Sequence, residues 1–315
     1  MVRSSINKPP HWGPAQVLQL PSTPLLTLIR ATTQSAMASG ALQPLPTRYE
    51  MVKSGGIEFV VRVSQALVRK QKATQTQKQE NSNPFLPYET DLFVADISDT
   101  HLCLLNKFNV VADHVLIVTR QFVSQETWLD AADFLALLAV LAQFDGLGFF
   151  NGGAVAGASQ PHKHLQIVPR QLAPELAVLP IDPLLDKTEI AGHLGQCPLF
   201  PFAHAIAKLP PNWWQGALMS AAEDVRAIYG EALVKLGMLD SPALSNPKQS
   251  QAYNLLMTRE WLLLIPRTQE HCAQISVNSL GFVGSLFARN DLELSQIREL
   301  GPMTILKTVA QSSTN

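Results

Sequence analysis

The sequence predicts an α+β fold for this chain of 315 residues. Hydrophobic residues make up 46% of the chain and charged residues only 16%, which is typical of a folded protein and not of a disordered one. Segments with strand and helix periodicity follow one another in the order strands, helix, strands, linker, helix, strands, helix. The length allows one large domain or two smaller ones.

The first predicted element is an amphipathic helix that begins after Thr23. We expect Thr23 to be the N-cap, Pro24 to occupy the first helical position, and Gly40 to end the helix. Residues 57–68 begin with the alternation of a strand. The polar residues 69–83 then predict a solvated loop.

Three short apolar segments follow, at residues 91–95, 101–105 and 114–118, with polar breaks between them. This spacing predicts an antiparallel meander. Ser124 is predicted to cap the next helix, because acidic residues follow in its first turns and apolar residues then recur at helical spacing from Trp128 onward.

The second half of the chain follows a proline-rich segment, residues 169–183, which we interpret as the boundary between two halves. The first predicted element of this second half is a long helix over residues 215–235 that ends near Gly237. An apolar run at residues 261–265 predicts a strand, and a further helix is predicted after Asp291.

The composition also excludes several classes of function. Lys and Arg number 24 and Asp and Glu 25, so a nucleic-acid binder with a broad basic face is not expected. The three cysteines form no C-x-x-C pair, which argues against a zinc ribbon or a thioredoxin-type site and favours a reducing compartment. The longest apolar run, residues 134–142, is too short to span a membrane, and the first residues lack a signal-peptide core. We therefore expect a soluble cytoplasmic protein.

The most informative segment is residues 151–169. Gly152 and Gly157 have the G-x-x-x-x-G spacing of a P-loop, but Ala158-Ser159 follows where that motif requires Lys and then Ser or Thr. No G-x-G-x-x-G is present either. A turn remains whose backbone N–H groups and Ser159 hydroxyl could hold a phosphate.

The residues after this turn alternate. If residues 162–168 form a strand, His162, His164 and Gln166 lie on one face of it. These side chains permit three interpretations. A zinc site would lack a good third ligand close in sequence. Buried core histidines would explain each residue separately but not their combination with the turn. A neutral imidazole beside phosphate donors has the parts of a nucleophilic site.

The motif His162-Lys163-His164-Leu165-Gln166 resembles the H-x-H-x-Q motif of the nucleotidyltransferase branch of the histidine-triad superfamily. A narrower resemblance, to diadenosine tetraphosphate phosphorylases (also called ATP adenylyltransferases), rests on three segments: Asn83–Pro87, Leu105–Val111 and Gly157–Gln166. It covers roughly residues 45–310, judged by the order of the motifs.

This resemblance implies a fold and a reaction. It implies an antiparallel sheet of histidine-triad type with packed helices, and a C-terminal α+β half that completes the site. The implied organisation is an N-terminal helical segment over residues 1–44, a catalytic domain over 45–180 and a nucleotide-contacting region over 181–315. The implied reaction splits diadenosine tetraphosphate with inorganic phosphate into ATP and ADP, reversibly, through AMP bound to a histidine.

The resemblance also implies site residues. His164 would be the nucleophile, Gln166 would hydrogen-bond the phosphoryl oxygen, and His162 would position the strand and the turn. The residues expected to bind substrate are Lys70, Asn106, Lys107, Asn151, Gly157, Ala158, Ser159, Gln160, Asn278, Ser279, Leu280, Ser285 and Arg289. Ser285 stands where the family tends to have Met, and Arg289 where it tends to have Lys.

Taken singly, several of these residues have simpler explanations. Asn106 suits a turn between two strands, and Lys70 suits a solvated loop. Alternative functions also stay open: a dinucleoside polyphosphate hydrolase, a hexose-1-phosphate uridylyltransferase, which more typically has Pro where Lys163 stands, or a nucleotide sensor that forms no adduct. The sequence implies no metal-ligand motif, although Mg²⁺ could accompany the polyphosphate. It leaves acceptor preference and oligomeric state, monomer or homodimer, open.

Overall fold

The computed structural model describes residues 17–64, 83–243 and 246–313. Lys70 and most of the predicted polar loop lie outside these residues. The α-helices among them are α1 (Leu25–Ser39), α2 (Ala131–Gln143), α3 (Asp182–Leu185), α4 (Leu218–Lys235), α5 (Ser279–Phe282), α6 (Asp291–Leu300) and α7 (Pro302–Val309). Short 3-10 helices are formed by Thr90–Leu92, Ala154–Ala156 and Pro211–Gln215.

The described strands, in chain order, are β1 (Arg48–Ser54), β2 (Ile57–Val63), β3 (Phe93–Asp96), β4 (His101–Leu105), β5 (Val115–Thr119), β6 (Gly146–Gly152), β7 (His164–Pro169), β8 (Ile190–Ala191), β9 (Leu194–Gly195), β10 (Ala205–Lys208), β11 (Tyr253–Met257), β12 (Trp261–Pro266), β13 (His271–Cys272), β14 (Ile275–Ser276) and β15 (Ser285–Ala288). Ten of them form one antiparallel sheet in the order β3-β4-β5-β7-β6-β11-β12-β10-β9-β8. The predicted α+β class and the meander of β3, β4 and β5 are therefore confirmed.

A second sheet joins distant parts of the chain. In it β2 pairs antiparallel with β1 and parallel with β15, so that Val60 lies opposite Ser285. A two-residue turn at Gly55 and Gly56, both with positive φ, connects β1 and β2. The large sheet is likewise shared between the two halves, because β6 and β11 are neighbours.

The start of α1 differs from the prediction by one residue. Pro24 has extended ψ and is the N-cap, so the helix begins at Leu25, and no Thr23 side chain caps it. The Oε1 atom of Gln143, from the end of α2, accepts the Leu25 N–H at 3.0 Å instead. Gly40 ends the helix in the left-handed conformation, as predicted.

The prediction that Ser124 caps the second helix is wrong. Asp130 is the N-cap of α2, and its carboxylate and that of Asp133 form a reciprocal capping box. The residues before it are held by other bonds, since the Gln125 N–H donates to the Pro161 carbonyl. Trp128 consequently precedes the helix and does not belong to it.

The observed bounds of the later elements agree better with the predicted ones. The helix α4 ends at Lys235 and Gly237 follows with φ of 69°, although the helix begins three residues after its predicted start. The strand β12 and the helix α6 lie where they were predicted. No helix among the described residues is both long enough and apolar enough to cross a membrane.

The large sheet separates two hydrophobic clusters. One contains Phe134 and Tyr229 and packs the helices α1, α2 and α4 on one face. The other contains Phe149 and lies on the opposite face, with apolar residues of α6 and α7. In β7, Leu165 and Ile167 belong to the helical side. His164 and Gln166 therefore point to the other face, by the alternation of a strand.

Candidate active site

A cleft of about 610 Å³ opens on the face of the sheet that carries His164 and Gln166. Its walls come from both halves of the chain: β4, β5 and the turn after β6 on one side, and the segment from Glu270 to Glu293 on the other. The residues predicted from the sequence that line it are His164, Gln166, Asn106, Lys107, Asn151, Gly157, Ala158, Ser159, Gln160, Asn278, Leu280 and Arg289. The structure thus collects in one cleft residues that are far apart in the chain.

The His164 ring is held in one orientation. Its Nδ1 atom lies 2.8 Å from the His162 carbonyl oxygen, which can only accept, so Nδ1 carries the proton. In the neutral ring the lone pair is then on Nε2. The backbone is fixed as well, because the His164 N–H donates to Gln125 Oε1 at 2.8 Å and Gln125 also donates to the Asn151 carbonyl. Phe85 packs beside the ring, with 5.4 Å between centroids.

The His162 ring is fully buried and does not line the cleft. Its Nε2 donates to the Thr119 carbonyl at 2.8 Å, and its Nδ1 lies 3.0 Å from Asn83 Nδ2. Burial lowers the pKa of His162, and this effect outweighs the opposite effect of the backbone hydrogen bonds to Thr119 and Gln121. A neutral, fully bonded ring of this kind ties the start of β7 to the end of β5.

The turn between β6 and β7 is held from below by a buried polar network. Asn151 Oδ1 accepts the backbone N–H and the hydroxyl of Ser279, and it also accepts Asn254 Nδ2 at 2.9 Å. Asn254 in turn binds the Ala156 carbonyl and accepts from Arg267. Burial lowers the pKa of Arg267 to about 10, although Glu270 opposes this effect. The network joins the turn to the C-terminal wall of the cleft.

The close approach of this turn to the opposite wall requires glycine. Gly157 has φ of 90°, and a Cβ atom at this position would lie 2.8 Å from the Asn278 Cβ. An amino acid with a Cβ atom would be strained at this φ and would collide with Asn278. Glycine at this position therefore brings the backbone of the turn against the residue that caps α5.

The two predicted cations in the described cleft each contact a carboxylate. Lys107 Nζ lies 2.7 and 2.9 Å from the Glu89 carboxylate oxygens on one wall. Arg289 pairs with Glu293 on the other. Asn106 donates to His114, which was not identified from the sequence.

Besides His162, two of the predicted substrate-binding residues in the described part of the chain do not line the cleft. Ser279 is fully buried in the network below the turn, where its hydroxyl contacts Asn151. Ser285 lies in β15 with only 1% of its surface exposed, and its hydroxyl has no hydrogen-bond partner in the described part of the chain. Lys70 is outside the described residues.

Sequence reasoning missed several polar residues around His164. His114 precedes β5, and its Nε2 lies 3.0 Å from Gln166 Oε1. Leu116 pairs with Gln166, so His114, two residues before Leu116, lies on the same face as Gln166. Alternation within residues 114–118 could indicate this face only once the pairing of β5 with β7 was known. Gln125 and Arg267 had no comparable sequence signal, because their bonds join distant segments. The segment 253–258, which contains Asn254, also resembles the family, but packing of a core strand explains it equally well.

The residue that precedes β7, Lys163, forms a buried ion pair on the helical side of the sheet. Lys163 Nζ lies 2.7 Å from Asp133 Oδ2 and 2.9 Å from the Trp128 carbonyl, and His101 contacts the other carboxylate oxygen at 3.1 Å. Burial by itself raises the pKa of Asp133. The Lys163 charge and the His101 hydrogen bond outweigh it, so the pKa lies well below its usual range. Asp133 also belongs to the capping box of α2, so this cluster ties the histidine strand to that helix.

The chemistry of this site follows from these contacts. A neutral imidazole with a fixed tautomer, beside a glycine turn and an amide side chain, can attack phosphorus and stabilise the charge that develops. Among residues 17–64, 83–243 and 246–313, no group of three or more His, Cys, Asp or Glu side chains is arranged to hold a metal ion.

Two family models match the chain. The Ap4A phosphorylase N-terminal domain matches residues 15–187, where Ap4A denotes diadenosine tetraphosphate, and the ATP adenylyltransferase C-terminal domain matches residues 198–312. Two proteins of Saccharomyces cerevisiae are similar in sequence. Protein APA1 is 27% identical over 299 residues, which cover 87% of this chain and 90% of that protein. Diadenosine 5',5'''-P1,P4-tetraphosphate phosphorylase 2 is 26% identical over 279 residues, which cover 81% and 83%.

Solved structures show the same fold. The crystal structure of yeast Ap4A phosphorylase Apa2 superposes with a TM-score of 0.74 at 24% sequence identity, covering 92% of this chain and 95% of that chain. The same yeast protein in complex with Ap4A gives a TM-score of 0.73 at 22% identity, covering 92% and 98%.

Proposed function

The chain belongs to the family of Ap4A phosphorylases and ATP adenylyltransferases, and we propose that it cleaves Ap4A with inorganic phosphate, using His164 as the nucleophile. Members of this family are nucleotidyltransferases, and this chain is such an enzyme. The observation that supports the role of His164 best is the contact of its Nδ1 with the His162 carbonyl, because this contact directs the lone pair of the neutral ring to Nε2.

In the first step, Nε2 of His164 attacks the α-phosphorus of Ap4A. A P–N bond forms, the P–O bond to the remaining triphosphate breaks, and ATP leaves as an anion. The Nδ1 proton stays on the ring, which becomes positively charged when Nε2 is substituted. The His162 carbonyl stabilises this charge through the existing hydrogen bond.

Charge at the phosphoryl oxygens must also be stabilised. Gln166 and the backbone N–H and hydroxyl of Ser159 are donors among the residues that line the cleft. The N–H groups of Gly157 and Ala158 already donate to the Ala154 and Gly153 carbonyls and hold the turn in shape. Lys107 and Arg289 also line the cleft, where each is paired with a carboxylate, that of Glu89 or Glu293. If Mg²⁺ accompanies the substrate, we expect phosphate oxygens to provide most of its ligands, because the described residues hold no group of three or more His, Cys, Asp or Glu side chains placed to bind a metal ion.

In the second step, inorganic phosphate attacks the AMP–His164 adduct. The P–N bond breaks, ADP forms, and the imidazole returns to its neutral state. The reverse sequence makes Ap4A from ATP and ADP. We further propose that residues 45–180 form the catalytic unit and residues 181–315 the second wall of the nucleotide site. A cytoplasmic location stays a prediction from the sparse, unpaired cysteines.

The experiment that tests this proposal incubates the purified protein with Ap4A, with and without inorganic phosphate, and separates the nucleotides by chromatography. ATP and ADP should appear only when phosphate is present. ATP and AMP without phosphate would identify a hydrolase and contradict the second step.

A variant tests the nucleophile. His164→Ala should abolish turnover while Ap4A binding, measured by calorimetry, stays close to wild type. His204→Ala is the matched control, because the His204 ring makes the same bond from Nδ1 to the carbonyl two residues earlier, outside the cleft. Turnover of His164→Ala at the rate of the control would refute the assignment.

A further inference from the structure

A chain of polar contacts connects a backbone amide to Gln166. It begins at Asn106, whose Oδ1 accepts the Phe108 backbone N–H at 3.3 Å. Because the oxygen is engaged there, the amide nitrogen of Asn106 faces His114, where it lies 3.2 Å from Nδ1. The backbone N–H of Asn106 also donates to the His114 carbonyl, which holds the two residues in register.

Two contacts together indicate the tautomer of His114. Gln166 Oε1 can only accept and lies 3.0 Å from Nε2, so Nε2 carries a proton. Asn106 Nδ2 can only donate and lies 3.2 Å from Nδ1 and 3.4 Å from Nε2. Nδ1, the nearer atom and the one that holds the lone pair of the neutral ring, is therefore its acceptor. The ring is mostly buried, with 9% of its surface exposed, and it packs beside Phe149.

The Nε2–H donor in turn holds the Gln166 amide in one orientation. With Oε1 bound to His114, the NH₂ group is on the other side of the amide carbon and can donate to a phosphoryl oxygen. A flipped amide would place two donors against each other at His114 and would turn a carbonyl oxygen toward the anionic phosphate. The direction of a glutamine amide matters here because a donor stabilises the developing charge and an acceptor repels it.

We propose that His114 is a positioning residue that sets the amide direction of Gln166, so that Gln166 donates to the phosphoryl group. This proposal rests on the proposed function, because it assumes that Gln166 contacts the phosphoryl group. His114 acts through Gln166 and does not itself contact the reacting atoms.

Kinetics of four variants test the proposal. Gln166→Ala should lower kcat by about 10²–10³-fold, as the loss of one preorganised donor usually does. His114→Leu should lower kcat by about 10–100-fold, the usual effect of losing a group that orients a functional side chain, and should change KM by less than about threefold. His114→Gln should restore most of kcat, since its amide nitrogen can replace Nε2 as donor while its oxygen accepts from Asn106.

The double variant separates an indirect role from a direct one. In the Gln166→Ala background, His114→Leu should cost nothing further, because the residue it positions is gone. Equal losses in both backgrounds would show that His114 acts on substrate independently of Gln166. Wild-type kcat in His114→Leu, or a loss in His114→Gln as large as in His114→Leu, would also overturn the proposal.

Nuclear magnetic resonance of ¹⁵N-histidine-labelled protein tests the tautomer without any assay of activity. The His114 signals, assigned by their absence in His114→Gln, should show the proton on Nε2 and a lone pair on Nδ1. The opposite tautomer would overturn the proposal even if catalysis is as expected. Failure of wild-type enzyme to form ATP and ADP from Ap4A would instead contradict the proposed function, while the spectrum still decides the tautomer.

Discussion

Replacing Lys163 by methionine should destabilise the protein strongly, because it removes one partner of a buried ion pair. The side chains of Lys163 and Asp133 are only 3% and 2% exposed. The substitution leaves the Asp133 carboxylate with its bonds to His101 and to the Asp130 N–H, but without a neighbouring positive charge. Breaking a buried pair in this way costs about 3–5 kcal/mol of the free energy of unfolding at pH 7.

The contribution of Asp133 to the free energy of unfolding should also change with pH in the opposite direction in this variant. In the wild type the pKa of Asp133 is lowered, so its contribution to stability is complete above the unfolded pKa of about 3.9 and is lost only at lower pH. Without Lys163, mainly the contacts with His101 oppose the effect of burial, the largest single cause, and we expect the pKa of Asp133 to rise above the unfolded value. The folded state then binds the proton more tightly than the unfolded state, and the deficit shrinks as the pH falls from 7 toward 5.

The assay is urea denaturation of both proteins at pH 7, 6 and 5, with the difference in free energy taken at each pH. The difference cancels the contributions of His162 and His204, whose pKa values are lowered by burial in both proteins. Lys107→Met is the control, because its pair with Glu89 is 34% and 47% exposed and should contribute less than about 1 kcal/mol. A loss in Lys163→Met no larger than in the control, or a deficit that grows toward pH 5, would refute this reasoning.

Two further predictions use matched pairs of variants. Gly157→Ala should lower kcat/KM by about 10²-fold, because the added methyl would meet Asn278 and move the turn by a fraction of an ångström. Gly192→Ala, also at positive φ but with nothing within 4 Å, should leave kcat/KM within about twofold of wild type, and equal values would contradict the role of the turn. Ser285→Ala should raise the free energy of unfolding by about 1 kcal/mol, since its buried hydroxyl lacks a partner in the described structure. Ser279→Ala should lower it by a similar amount, since that hydroxyl is bonded to Asn151, and chemical denaturation should show opposite signs.

The sequence predicted the elements whose signals are local. The strands β4 and β5 were expected within one residue of their observed bounds, because apolar runs between polar turns need no other part of the chain to be recognised. The start of α2 was missed because Ser124 and Asp130 are both good caps, and only the capping box with Asp133 decides between them. The parallel pairing of β2 with β15 has no local signature at all.

The same distinction holds for the site. His164 and Gln166 could be placed on one face from alternation alone, and the turn before them from its glycines. The buried location of Ser285 could not be predicted from the sequence. A serine that follows a glycine has the same local pattern whether it faces a cleft or a neighbouring strand. His114 was missed since its importance depends on the pairing of β5 with β7 and on which amide atom faces it.

The shared sheet has a consequence for biosynthesis. The first half of the chain emerges from the ribosome with β6 as a long, apolar strand edge, and its partner β11 is made only later. Until then this edge offers unpaired backbone groups to any other extended chain, which favours aggregation. The strand β2 is made even earlier, and its partner β15 is made after β11, so β2 stays unpaired on that edge for longer than β6 does. We therefore expect nascent chains to need protection by chaperones, and expression of either half alone to give insoluble protein, although two separate family models describe the halves.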